Sequence, residues 1–119
     1  MERRYHFEVF WKNSLDIINN FLEKGYDVVF NYIINKDDLK KIKNKFSNIE
    51  IRFVLLLASD QVLISRDNER DRDSRMGERV LILKENFLKQ DFPNQYILDT
   101  SNLKIEEIVK KIEENNYIL

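Results

Sequence analysis

The chain has 119 residues, 43% of them hydrophobic and 12% aromatic, with 20 basic and 21 acidic side chains and a formal net charge of -1. A single domain of this length buries about two thirds of its unfolded surface. The apolar content argues against disorder, and the balanced charge leaves no field to gather a polyanion, so no nucleic-acid partner is expected.

From His6 to Lys24 the residues Phe7, Phe10, Trp11, Leu15, Ile18, Phe21 and Leu22 recur at helical spacing, and Gly25 is the expected stop. His6, the single histidine, reads as a surface or boundary residue at the helix start, with no second histidine to share a metal. Tyr26 to Ile34 carries Val28, Val29, Phe30, Tyr32, Ile33 and Ile34 with little alternation, the pattern of an interior parallel strand. Asn35 is a suitable N-cap for an amphipathic helix over 37–46, where Leu39, Ile42 and Phe46 share a side. Its lysines Lys40, Lys41, Lys43 and Lys45 read as a solvated face, because no aromatic residues are interleaved with them.

Ile49 to Ala58 is the most apolar stretch and predicts a buried strand at the sheet centre. Ser59 or Asp60 caps a helix running toward Arg66. A charge-dense segment then extends to Met76 and predicts a loop or mobile lid before a third amphipathic helix bearing Val80, Leu81, Leu83, Phe87 and Leu88. Pro93 and Asn94 mark a break, Gln95 to Leu98 reads as a short strand, and Ile105, Ile108, Val109 and Ile112 stripe a closing helix. Carboxylate pairs such as Glu106 with Glu107 and Glu113 with Glu114 fall on that helix and read as solvent-facing charge. The order, a helix followed by three β-α units, predicts one α/β domain over residues 1–119 with a mainly parallel sheet and helices on its faces. Cysteine is absent, which removes disulfides, thiolate metal sites and thiol nucleophiles, and no apolar run approaches the ~20 residues that span a bilayer. No membrane association is expected, and the cytoplasm is the expected compartment.

At Arg66 the sequence reads RDNERDRDSRMGER, opening on R-D-x-x-R and closing on M-G-x-R, after the apolar FVLLLAS. This resembles the lid segment of small bacterial P-loop kinases, the group containing gluconate-kinase-like proteins. In the same order GYDVVFNYII is similar to that family's third strand, and ILDTSNLKIEEIVKKI to its last strand and helix, so the resemblance runs from about Phe7 to Ile112. It implies a P-loop nucleoside-triphosphate-hydrolase-like fold, a lid at about 66–79, ATP and Mg²⁺ as cofactors, and phosphoryl transfer to a small-molecule acceptor. The departure is large. A cradle of the form G-x-x-x-x-G-K-S/T needs two glycines close together, whereas this chain has only Gly25 and Gly77. In the family the missing loop follows a strand that lies mid-sheet, between the equivalents of the Tyr26 and Ile49 strands. The expectation is therefore a truncated domain without its first strand and phosphate loop, inactive by itself. Three arrangements follow: the flanking strands pair directly, another segment of a longer protein fills the slot, or a homodimer covers the vacant strand position. The alternative function is a non-catalytic α/β binding or interaction module.

The resemblance makes Arg66, Arg70 and Arg79 the candidate lid contacts to phosphate, since guanidinium groups bind phosphate oxygens in pairs. Asp67, Glu69, Asp71, Asp73 and Glu78 offer these arginines, with Arg72 and Arg75, an alternative as ion-pair partners along a solvated helix. Trp11, Asn31 and Tyr32 are candidates for an acceptor pocket, with core packing the competing reading of Trp11. Asn31 stands where related sequences carry an acid and brings no negative charge to Mg²⁺ or to a proton. Thr100, Ser101 and Asn102 are candidates for the adenine side, or equally a polar turn before the last helix. Lys104 occupies a helix start where Ser or Thr is the usual cap. No metal-ligand cluster is expected, because one histidine and no cysteine leave only carboxylates.

Overall fold

The computed structural model describes residues 3–119, with side chains from Phe7 onward. They divide into two compact units, Met1–Ile34 and Asn35–Leu119.

The first unit is one long helix, α1 (Arg3–Glu23), and the chain that follows it. Gly25 ends the helix in the left-handed region at φ 86. Its N–H donates to the Leu22 carbonyl at 3.0 Å and that of Tyr26 to the Phe21 carbonyl at 3.1 Å. These two bonds make a Schellman cap, and the Phe21 and Tyr26 rings, 5.7 Å apart, add the apolar contact that accompanies it. Beyond the cap the sequence expectation fails. Tyr26 to Ile34 is not a strand: no ladder partner exists for it among the described residues, and Val29 is 96% exposed. β-branched and aromatic residues favour a pleated strand only when neighbours supply hydrogen bonds and a packing surface. Here Phe30 and Tyr32 pack on Phe10 and Trp11 of α1 instead, with ring centroids 4.6–6.0 Å apart.

The second unit carries the sheet. Its order is α2 (Lys36–Lys45), β1 (Leu55–Leu57), α3 (Asp60–Asn68), a 3₁₀ turn (Arg72–Ser74), α4 (Arg79–Lys89), a second 3₁₀ turn (Asn94–Tyr96), β2 (Ile97–Asp99) and α5 (Ile105–Glu114). Asn35 starts α2 with a capping box: its Oδ1 accepts from the Asp38 N–H at 2.8 Å, and the Asp38 carboxylate accepts from the Asn35 N–H at 3.2 Å. The same turn is anchored to the end of α4, where Gln90 Oε1 accepts the Lys36 N–H and the Asp91 carbonyl accepts Lys36 Nζ. Ser59 caps α3 through its hydroxyl, which accepts from the Val62 N–H at 3.3 Å. At α5 the Lys104 side chain is no acceptor, and the Glu107 carboxylate closes the start by accepting the Lys104 N–H at 3.1 Å.

The described residues are therefore α/β, with five helices and a two-stranded parallel sheet among them in the register Leu55 to Ile97, Leu56 to Leu98 and Leu57 to Asp99. The predicted 49–58 strand is shorter than expected. Its first half joins the C-terminal tail in an isolated antiparallel bridge between Arg52 and Ile118, with the Phe53 N–H bonded to the Tyr117 carbonyl and the Leu119 N–H to the Ile51 carbonyl, both at 2.9 Å. Further on, the Thr100 N–H donates to the Leu57 carbonyl at 2.8 Å.

These bonds fix which edge of β1 is used. Backbone groups of alternate residues in an extended chain point to opposite edges. Ile51, Phe53 and Leu57 all face the edge covered first by the tail and then by β2. Arg52, Val54 and Leu56 face the other edge, where they form no backbone hydrogen bond among the described residues. The side-chain cover thins on the same side: Leu98 is buried at 8% exposure while its in-register neighbour Leu56 is 50% exposed. The core of this unit is small, made of Phe46, Leu55, Ala58, Phe92, Leu98 and Tyr117.

Candidate functional site: the carboxyl ends of the two strands

In open α/β sheets ligands bind beyond the carboxyl ends of the parallel strands. Here those ends carry Ser59 and Asp60 after β1, and Thr100 and Ser101 after β2. The two ends are tied by the Ser59 N–H, which donates to Ser101 Oγ at 2.8 Å, and by Thr100, whose hydroxyl donates to the Leu57 carbonyl at 3.1 Å. Asp99 turns its carboxylate back to accept from both Oγ and the backbone N–H of Ser101, at 2.6 and 2.9 Å. The Ser101 hydroxyl above all, then its amide and the charges of Lys84 and Arg66, hold the Asp99 carboxyl below its ordinary value.

Arg66, in the last turn of α3, reaches this cluster. Its Nη1 donates to Thr100 Oγ1 at 2.9 Å and its Nη2 to the Thr100 carbonyl at 2.7 Å. A lid candidate and an adenine-side candidate are thus in direct contact, 34 residues apart in sequence. Thr100 is buried at 4% exposure, Ser101 is half-buried, and Asn102 is exposed and takes no part in the cluster. Lys84 of α4 pairs with Asp60 at 2.7 Å and holds α4 against the first turn of α3.

The arginine-rich segment after α3 is folded onto itself. Asp67, buried at 5% exposure, accepts from the Met76 N–H at 2.8 Å and the Gly77 N–H at 2.9 Å. The Met76 amide most strongly, then that of Gly77 and the charges of Arg70 and Arg75, hold its carboxyl below the ordinary value against the opposing cost of burial. Arg75 donates to the carbonyls of Asn68 and Arg70 at 2.9 and 3.1 Å. Arg70 lies 3.8 Å from Asp67 and Arg79 is exposed at the first position of α4. Of the expected lid contacts, Arg66 is therefore engaged with the sheet, Arg70 borders the Asp67 carboxylate, and Arg79 faces solvent.

In the first unit, Trp11 and Tyr32 come together edge to face at 6.0 Å within an aromatic group that includes Phe10 and Phe30. Asn31 between Phe30 and Tyr32 is exposed. The reading of His6 as a boundary residue falls outside the described side chains. Sequence reasoning missed the role of Asp67, which it counted only as a charge opposing the arginines. The single usable signal was Gly77, whose φ of 63 marks the turn that brings two amides onto that carboxylate.

No group of three His, Cys, Asp or Glu side chains that could hold a metal ion occurs among the described residues. Nor is any helix among them long and apolar enough to cross a membrane. No protein-family model matches the chain, and no curated protein matches it.

Proposed function

We propose that this chain is the lid-bearing part of a small P-loop-kinase-like domain, unable to transfer a phosphoryl group until a strand and phosphate loop from outside these 119 residues occupy the free edge of β1. The observation that carries this reading is the sheet itself. An apolar strand with one edge paired to β2 in parallel and the other edge unpaired leaves a strand position of the kind the resemblance requires. The order strand, helix, arginine-rich segment, helix, strand supports it as well. The glycine content supports the second half of the proposal, because Gly25 and Gly77 each terminate or turn a segment and neither belongs to a phosphate cradle.

The test is complementation. The chain alone should give no Mg-ATP binding heat at micromolar to millimolar nucleotide and no turnover. Co-expression with the first strand and phosphate loop of a small P-loop kinase should yield a complex that binds Mg-ATP. Binding by the chain alone, or no binding by a complex that forms, overturns the proposal.

A second reading, a non-catalytic binding or interaction module, is favoured by one observation: Arg66 and Arg75 already spend their donors on internal oxygens. This module would cover the free edge with a second copy of the chain. A dimer by light scattering that neither binds Mg-ATP nor accepts the complementing segment supports it, and a nucleotide-binding monomer contradicts it.

A further inference from the structure

Arg66 and Asp67 are neighbours at the end of α3, and they fasten different things. Arg66 binds the end of β2, and Asp67 binds the returning chain at Met76 and Gly77. Apart from the Glu69 N–H, which also donates to the Ser65 carbonyl of α3 at 3.2 Å, the backbone bonds of residues 69–75 close on that segment or on Asp67. The Arg70 N–H donates to the Asp67 carbonyl at 3.1 Å, the Ser74 N–H to Asp71 at 2.8 Å and the Arg75 N–H to Arg72 at 3.4 Å. The Arg75 side chain spans the opening of the loop to reach Asn68 and Arg70. Asp67 is the one charged side chain buried among the described residues. Such a group persists when it is fully hydrogen-bonded, and here two backbone amides and two nearby guanidinium groups supply that environment.

We propose that residues 68–77 form a strap held shut by Asp67, a positioning residue, and that the strap opens as one unit, releasing the guanidinium groups of Arg70 and Arg75 together. The bonds of the segment depend on one another: without the Asp67 carboxylate the Met76 and Gly77 amides lose their acceptor, the 3₁₀ turn at 72–74 loses the chain end that closes it, and Arg75 loses the carbonyls it spans. A local cooperative unit of this kind opens at a free energy below that of global unfolding. The arrangement replaces the free mobile lid expected from the charge density of the segment with a two-state one.

Amide hydrogen exchange followed by NMR on the full chain tests this. In the wild type the amides of Ser74, Arg75, Met76 and Gly77 should be protected and should exchange through one common opening, faster than the Thr100 amide in the sheet. Asp67→Ala should accelerate all four by at least about tenfold and leave Thr100 unchanged. Arg75→Gln, which keeps the carboxylate, should raise the same four rates together. Unprotected amides in the wild type, four unrelated rates, or an equal acceleration at Thr100 would each overturn the strap as an independent unit. Because the wild-type rates already discriminate, the test stands even where the Asp67 variant does not fold.

Discussion

Thr100→Val removes one oxygen and leaves the shape of the side chain nearly intact. The hydroxyl it deletes accepts from Arg66 Nη1 at 2.9 Å and donates to the Leu57 carbonyl at 3.1 Å, at a residue only 4% exposed. A hydrogen bond to a charged group contributes about 1.5–3 kcal/mol and a neutral one about 1 kcal/mol. Three circumstances reduce the loss. The Leu57 carbonyl keeps the Thr100 N–H, Arg66 keeps the Thr100 carbonyl at 2.7 Å, and the new methyl group gains about 0.8 kcal/mol by burial. The net cost is about 2 kcal/mol, a fall of roughly 30-fold in the folding equilibrium constant. Urea denaturation followed by tryptophan fluorescence and far-ultraviolet circular dichroism measures it, with Thr100→Ser as the control that keeps both bonds and should lose less than about 1 kcal/mol. If Thr100→Val unfolds at the wild-type midpoint, or Thr100→Ser is the more damaging of the two, then Thr100 does not join Arg66 to the sheet as described.

Other variants probe the remaining elements. Gly77→Ala should cost about 1–2 kcal/mol from backbone strain alone, since a Cβ there meets nothing within 4 Å and the conformation is left-handed; thermal melting with Gly25→Ala as the companion variant checks it. Asn35→Ala should lower stability by about 1 kcal/mol by removing the capping box of α2, read as a shift in urea midpoint. Phe92→Ala should cost about 3–5 kcal/mol, because the ring is buried against Phe53 at a centroid distance of 5.5 Å and lies 5.7 Å below Lys36 Nζ. Asp67 and Asp99 both have folded values depressed from 3.8, so the stability they add is present above that value and is lost as pH falls through the lower folded ones. A urea series from neutral pH into acid should show this decline, and Asp67→Asn should flatten part of it.

What the sequence disclosed was the local chemistry. Asn35, Ser59 and Gly25 each announce a helix boundary through a side chain or a φ value that acts within a few residues, and all three boundaries stand where the pattern placed them. The parallel pairing of the Leu55 and Ile97 strands follows from the alternation of strands and helices. Tyr26 to Ile34 misled because strand propensity describes a side chain's fit to a sheet and says nothing about whether a neighbouring strand exists. The arginine-rich segment misled for a different reason. Its order comes from Asp67 and Arg75 reaching backbone groups several residues away, and such bonds leave no periodicity and no composition signal. The contact of Arg66 with Thr100 is longer in range still.

The central claim is that β1 has an unfilled strand position, and the Leu56 amide reports on it directly. In the chain alone that amide should exchange with solvent at close to the unstructured rate, while the Thr100 amide on the paired edge stays protected. Addition of a complementing strand and phosphate loop should protect Leu56 and Val54 together. Strong protection of Leu56 in the isolated monomer would mean that the edge is already occupied, and would contradict the account.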